Sequence, residues 1–341
     1  MQKLLFSTVL LVAIGLLAAF QPQATTLALT DETPVAQVLL ELGAEPAAHQ
    51  VDLTVEDVSV EAGRRLVLEG VTGDPLGGNT LRQSKHFVCT SCHNVVKEDA
   101  DLRYADPDAR LAYVVKNGLP LLPGTTLYGV VNRKTFYNGD YEKKYGDLVR
   151  PARQNLREAI ALCATECAQG RPLADWEMES ILSYLWTIDL KMGDLNLPAS
   201  SLSVVQAGLS GTGDRQQAAD LLQSYFLDHS PAHFLTPPPN RETGYGLVGV
   251  PANGQLVYEA SCLHCHGERR YSFFNLDNSK FTLEFLEKHF PLYTRYSTYQ
   301  VVRYGTSPLA GKRAYMPHYT QERMSNQQVE DLRAYVTQQS Q

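Results

Sequence analysis

The chain has 341 residues, 44% of them hydrophobic and 20% charged, and carries a formal net charge of −7. This length accommodates two domains, each with its own core. The acidic balance, with no basic tail and no low-complexity tract, excludes a nucleic-acid partner.

From the N-terminus, Met1-Gln2-Lys3 precedes an apolar run over residues 4–20. One cation, a short apolar core and then small and polar residues read as a secretory signal over 1–24, with cleavage near Ala19 or Ala24. The alternative is an uncleaved anchor, because the run approaches the roughly 17 residues a membrane span can use. Only then would the chain touch a membrane. No Cys directly follows the run, which argues against a lipid anchor, and no later segment is long and apolar enough to span a bilayer. The expected location is the periplasm or another exported compartment.

Residues 25–55 are polar and mixed and read as a loosely packed extension. From there the pattern is mostly helical, with loops punctuated by Gly and Pro and no run of strand alternation. Residues 56–192 form a first segment. It opens with a short helix over 61–69 that contains Gly63, and a Gly-rich loop over 72–86 leads to Cys89-Thr90-Ser91-Cys92-His93. It closes with an amphipathic helix over 175–190 that carries Trp176, Ile181, Tyr184 and Leu185. Residues 193–247 read as a linker with one helix, 214–227, and the semi-rigid spacer Pro237-Pro238-Pro239. Residues 248–341 form a second segment. A helix over 252–259 contains Gly254, and Cys262-Leu263-His264-Cys265-His266 follows. A final helix over 326–338 carries Val329, Leu332 and Tyr335 and starts at a Ser325/Gln328 capping box.

The repeated pentapeptide Cys-x-x-Cys-His is the attachment signal for c-type haem. Two thiols three residues apart on one turn reach two vinyl groups of one porphyrin, and the following His is held under the iron. A thioredoxin-like dithiol needs no following His. A structural zinc site usually has its Cys pairs roughly 15–20 residues apart, whereas these stand in separate segments. The expectation is two covalently bound haem c, attached through Cys89 and Cys92 and through Cys262 and Cys265, with His93 and His266 as iron ligands. Haem attachment takes place in the compartment to which the N-terminal signal directs the chain. The fold class expected is mainly α, with two cytochrome c-like domains joined by a Pro-containing linker. In that fold the first and last helices cross beside the haem, and Gly63 with Tyr184, and Gly254 with Tyr335, suit the crossing.

The far side of each iron differs. Met316, in Tyr315-Met316-Pro317-His318, lies between the second motif and the last helix, where a loop brings a thioether over the iron and raises the potential. His318 is its competitor, while His264 is badly placed to reach that face. The first segment has no Met in the corresponding place, since Met178 sits within its last helix and Met192 at its end. Cys163 and Cys167 stand there instead. A Cys163 thiolate would stabilise ferric iron and lower the potential. A Cys163–Cys167 disulfide is the alternative in an oxidising compartment, though i,i+4 helical geometry lies near the upper limit for a bridge. Met or His ligation with free thiols is a third arrangement.

The stretches Thr126-Leu127-Tyr128-Gly129-Val130-Val131-Asn132-Arg133, Phe136-Tyr137-Asn138, Leu156 through Cys163, and Gly170-Arg171-Pro172-Leu173 resemble the first domain of di-haem thiosulfate dehydrogenases and related sulfur-oxidation cytochromes c. The resemblance covers roughly residues 60–192 and 248–340. It implies a His/Cys axial pair at the first haem, with Cys163 seven residues before a Gly-x-x-Leu element, and a His/Met pair, His266 and Met316, at the second. Cys167, the inserted loop before the first motif and the extended linker depart from that family.

The leading expectation is single-electron transfer from the first haem to the second and on to a redox partner protein. A second expectation is oxidation of a small sulfur anion such as thiosulfate at the first haem. Residues 133–171 carry eight Lys/Arg against five acids, and Arg133, Arg157 and Arg171 are the anion-binding candidates, with Cys163 at the reacting centre. These arginines also suit haem propionates or a solvated face. A third expectation is a haem-based sensor with an open iron.

Overall fold

The computed structural model describes residues 27–225, 231–306 and 315–341; the signal read over 1–24 lies outside the described residues. The fold is mainly α, and among the described residues there is no strand, only isolated bridges at Pro34–Lys191 and Gly73–Asn79. In chain order the helices are α1 (Val35–Glu41), α2 (Val60–Glu69), α3 (Pro107–Lys116), α4 (Tyr141–Tyr145), α5 (Leu156–Leu162), α6 (Asp175–Thr187) and α7 (Ala199–Ser210). They continue with α8 (Arg215–Gln223), α9 (Pro251–Val257), α10 (Leu263–His266), α11 (Lys280–His289), α12 (Thr298–Tyr304) and α13 (Asn326–Ser340).

Local signals set the helix ends. The Ser59 side chain accepts from Ala62 N at the start of α2, and Gly70, at φ 71°, closes it. Only a residue without Cβ adopts that left-handed conformation at no steric cost. The Ser325/Gln328 capping box opens α13, with both reciprocal hydrogen bonds at 3.1 Å. Two helices are widened locally to i→i+5 hydrogen bonding. Cys163–Cys167 extends α5 by such a π-turn, and Tyr258–Cys262 joins α9 to α10. Such turns are rare and collect at functional sites.

One helix crossing is built twice. α2 crosses α6 at Gly63, where an added Cβ would lie 1.8 Å from Ser180 O; α9 crosses α13 at Gly254, where it would lie 1.9 Å from Asp331 O. Tyr184 and Tyr335 each stand four residues beyond these contacts. Tyr335 Cβ lies within 2.8 Å of the Gly254 position, whereas Gly63 is closed off by the Ser180 and Ile181 backbone. The first crossing is therefore tightest one turn before the expected aromatic. Each crossing also ends in the same hydrogen bond. Ser59 N donates to Ser180 Oγ at 3.0 Å, and Val250 N donates to Asp331 Oδ1 at 2.8 Å.

Three cores result. The first joins Leu66, Val67, Val130, Phe136, Leu156 and Leu185 around α2 and α6. The second joins Val257, Tyr258, Phe290, Tyr299, Leu332 and Val336 around α9, α11 and α13. Full burial of each such side chain stabilises by about 1.5–3 kcal/mol. A third gathers Val35 and Val38 of α1, Leu190 and Met192, and Val205, Ala218 and Leu222 of α7 and α8. The extension is thus packed rather than loose, and among the described residues the region 193–247 holds α7 as well as the helix expected there, α8. α7 escaped notice because Ala-Ser-Ser-Leu-Ser-Val-Val-Gln has little polar/apolar alternation and follows Pro198, which has no capping side chain. The boundary read at residue 192 also cuts across the packing, since Leu111, Val114 and Leu121, from α3 and its exit, lie in the second core. Among the described residues no helix is long and apolar enough to cross a membrane.

Candidate functional site

The two Cys-x-x-Cys-His segments are presented alike. His93 Nδ1 donates to Thr125 O at 2.6 Å and His266 Nδ1 donates to Phe274 O at 2.8 Å. Each bond fixes the ring and its tautomer and leaves Nε2 as the unprotonated ring nitrogen, the arrangement of a metal-ligating His. Gly124 lets its loop close on the first ring, because a Cβ there would lie 2.5 Å from His93 Cε1. Burial lowers the pKa of both imidazoles and keeps them neutral.

The four motif thiols are shifted the other way. Burial pushes Cys89 and Cys265 up to about 11, Cys262 to about 12 and Cys92 higher still. A redox dithiol needs a depressed thiol, so these pairs do not have that character. Among the described residues, no group of three or more His, Cys, Asp or Glu could hold a bare metal ion.

Met316 is clamped to the end of α12. Its N donates to Thr306 Oγ1 at 2.7 Å and its O accepts from Thr306 N at 2.9 Å. Gly305, at φ 67°, makes room for it, since a Cβ would meet Met316 O at 2.3 Å. Met316 and Cys262 pack against the same core. The two other histidines of this region have different surroundings. The His318 ring packs on Phe234 at 4.8 Å, and burial, then Lys144, lower it to about 4. His264 lies beside Arg270 and is likewise lowered to about 4 by burial and that cation.

Cys163 and Cys167 begin and end the π-turn as separate thiols joined by a hydrogen bond. That bond, burial, and the nearby Cys89 and Cys92 raise Cys163. Cys167 is held lower by the same bond and by the Tyr137 hydroxyl. Cys163 is thus close enough to the first motif for the charges of Cys89 and Cys92 to act on it. Tyr137 (φ 50°) and Gln169 (φ 52°) flank the turn in a conformation that costs a non-glycine residue about 1–3 kcal/mol. Gln169 Nε2 is buried without a hydrogen-bond partner.

The three arginines part company. Arg157 binds Glu179 at 2.7 and 2.9 Å and the carbonyls of Ala48 and Gln50. Arg171 binds Glu177 at 2.6 and 2.5 Å and the carbonyls of Leu81 and Pro172. Their donors are committed to structure, which leaves neither free to bind an anion. Arg133 alone is electrostatically close to His93 and has no hydrogen-bond or ion-pair partner for its side chain among the described residues. Burial lowers its pKa to about 10.

Sequence reasoning missed a buried charged cluster beneath the first motif. Glu98 accepts from Arg323 at 2.9 Å and pairs with Arg110 at 3.4 Å. Burial pushes the Glu98 carboxyl up, but Arg110, Arg323, Asn94 and Thr126 N–H outweigh it and hold it at about 2. Arg323 Nε is buried without a partner. The three charged residues lie 225 residues apart at the extremes of the cluster, so no local pattern joins them.

Residues 249–336 match the family model described as Cytochrome C oxidase, cbb3-type, subunit III. No curated protein and no solved structure matches the chain. The C-terminal part is a cytochrome c domain, which supports haem-based electron transfer and implies covalently bound haem c and a redox protein as partner.

Proposed function

We propose that the chain is an exported di-haem c-type cytochrome that carries single electrons from a first haem to a second and on to an external acceptor protein. The observation that carries this reading is the duplicated construction. Gly63/Ser180/Tyr184 and Gly254/Asp331/Tyr335 repeat one crossing with the same spacing, and His93 and His266 make the same Nδ1–carbonyl bond. Only the second half matches a family model, but the first half has its parts.

The residues fit haem c on their own chemistry. Cys89 and Cys92, and Cys262 and Cys265, are half-buried thiols without a disulfide partner, suited to thioether formation, and His93 and His266 offer Nε2. Arg323 Nε supplies a buried donor without a partner near the first motif, and the half-buried Arg133 a second cation there, as a carboxylate-bearing group requires. A bound haem c would supply a one-electron ferric/ferrous couple. Cys163 is the far-side ligand proposed for the first iron and Met316 for the second. Thiolate favours ferric iron and thioether favours ferrous iron, so the pair sets the direction of flow. Of the three arginines named as candidates for a sulfur anion, Arg157 and Arg171 are bound in ion pairs, so electron transfer is the reading proposed.

Low-temperature EPR of the ferric protein beside Cys163→Ala tests the assignment. A thiolate-type low-spin signal that vanishes in the variant is expected; an unchanged spectrum rejects Cys163 as ligand. A pyridine haemochrome count should give two haems per chain.

A further inference from the structure

We infer that the second half of the chain completes the first iron's ligand shell from both sides, with Arg323 and Tyr315 as the positioning residues. The inference rests on the di-haem reading above, and adds that the loop and turn around the first motif are held by residues of the other half.

On the proximal side, Arg323 precedes α13 and reaches across the molecule. Its Nη2 donates to Gly124 O at 2.6 Å and to Leu122 O at 3.1 Å. Gly124 N in turn donates to Cys92 O at 2.9 Å, and the next residue, Thr125, accepts from His93 Nδ1 at 2.6 Å. The loop that orients the first histidine is thus gripped by a guanidinium from the other half. Glu98 holds both parties, since it takes Thr126 N–H at 2.9 Å and Arg323 at 2.9 Å. Arg110 locks the assembly by donating to Leu122 O at 2.7 Å and to Arg323 O at 3.1 Å. The three side chains are buried, so water does not substitute for any of these bonds.

On the distal side, the Tyr315 hydroxyl donates to Cys167 O at 2.8 Å, at the end of the π-turn that begins with Cys163. Its ring meets Phe87 edge-on at 5.5 Å, on the segment that enters the first motif. Tyr315 adjoins Met316, yet the Met316 clamp is made by its own backbone with Thr306 and needs no hydroxyl from Tyr315. Losing that hydroxyl should therefore disturb the site across the interface and spare the neighbouring residue.

The experiment compares the full-length protein with Tyr315→Phe and Arg323→Gln, reading EPR and the separate midpoint potential of each haem. The expected result is a broadened or shifted low-spin signal for the first haem in both variants. In Arg323→Gln its potential should also fall, because a buried cation near the iron is lost. The second haem's signal and potential should stay at wild-type values, although both residues belong to its half. Should Arg323→Gln not fold, Arg323→Lys keeps the charge beside Glu98 but cannot meet two carbonyls and a carboxylate in the same geometry; it should broaden the first signal with little change in potential. An unmoved first haem in folded variants, or a change confined to the second haem, overturns the inference. A count of one haem in the wild type overturns the di-haem reading instead.

Discussion

Replacing Gly254 by alanine puts a methyl group where the structure has Asp331 O. The built Cβ lies 1.9 Å from that oxygen and 2.4 Å from its carbon, and both are helix backbone that cannot rotate aside. Real Cβ atoms do not approach other heavy atoms closer than 3.0 Å, so α9 and α13 must separate by roughly 1 Å, a gap that forfeits a quarter to a half of the dispersion attraction between the atoms it parts. Overpacking of this type costs about 1–3 kcal/mol and occasionally more, and with backbone as the obstacle the cost falls at or above the upper end. The better helix propensity of alanine returns about 1 kcal/mol. The net expectation is a destabilisation of about 2–4 kcal/mol in urea unfolding followed by far-UV circular dichroism. Gly63→Ala, at 1.8 Å from Ser180 O, should cost a similar amount. Gly73→Ala is the control: its φ is not positive and its built Cβ meets nothing nearer than 4.0 Å, so it should stay within about 0.5 kcal/mol of wild type. A Gly254→Ala protein as stable as the control would refute the close crossing and the duplicated architecture argued from it.

Three further outcomes follow from the same packing. Glu98 is held at about 2 in the folded chain, below the roughly 4.3 of an unfolded glutamate. Its contribution is therefore complete above about pH 4.3 and is lost as pH falls toward 2. Glu98→Gln should flatten the fall in urea midpoint across that window and cost about 3–5 kcal/mol at pH 7, because two buried cations lose their counter-charge; an unchanged acid profile would count against the cluster. Arg157→Gln and Arg171→Gln should each lower stability by about 1–3 kcal/mol, since Glu179 and Glu177 are left buried and short of partners; thermal melts equal to wild type would show those pairs to be idle. Cys262→Ala with Cys265→Ala should leave one covalent haem per chain by intact-protein mass; retention of two would refute the attachment sites.

The parts of this molecule that could be read from sequence are those fixed by neighbours in the chain. The Cys-x-x-Cys-His turns, the Ser325/Gln328 cap and the apolar faces of the last helices depend on spacings of one or two helical turns. What escaped depends on distant partners. Arg157 and Arg171 were visible as cations, but Glu179 and Glu177, which absorb them, are sorted only once α5 and α6 pack. α3 has an ordinary amphipathic pattern, and nothing local tells Leu111 and Val114 that their core is formed by α9 and α13 rather than α2 and α6. The third core was hidden for the same reason, because Val35 and Val38 bury themselves against Leu190 and Val205, which the chain supplies more than 150 residues later.

This long-range packing bears on how two copies of one design come to differ. The second site is closed by short connections. Met316 is clamped by Thr306, ten residues away, and His266 by Phe274, eight residues away. The first site carries the inserted loop over 72–86, which packs on the widened turn at Cys163–Cys167. Gln83 of that loop is already spent on the turn, donating to Ala164 O and Arg171 O. The first histidine's loop is held within its own half by Glu98, by Arg110 and by backbone bonds to Cys92 and Asn94, and a carboxylate buried alone would be costly. Arg110 and Arg323 resolve that cost, and Arg323 comes from the other half. α3, which carries Arg110, is committed to the second core. A first half cut away at residue 192 would therefore lose the cation that steadies its histidine and the apolar surface that seats α3. The duplicated halves do not stand as two interchangeable modules; the more irregular one folds against the more regular one and has the loop behind His93 gripped by it.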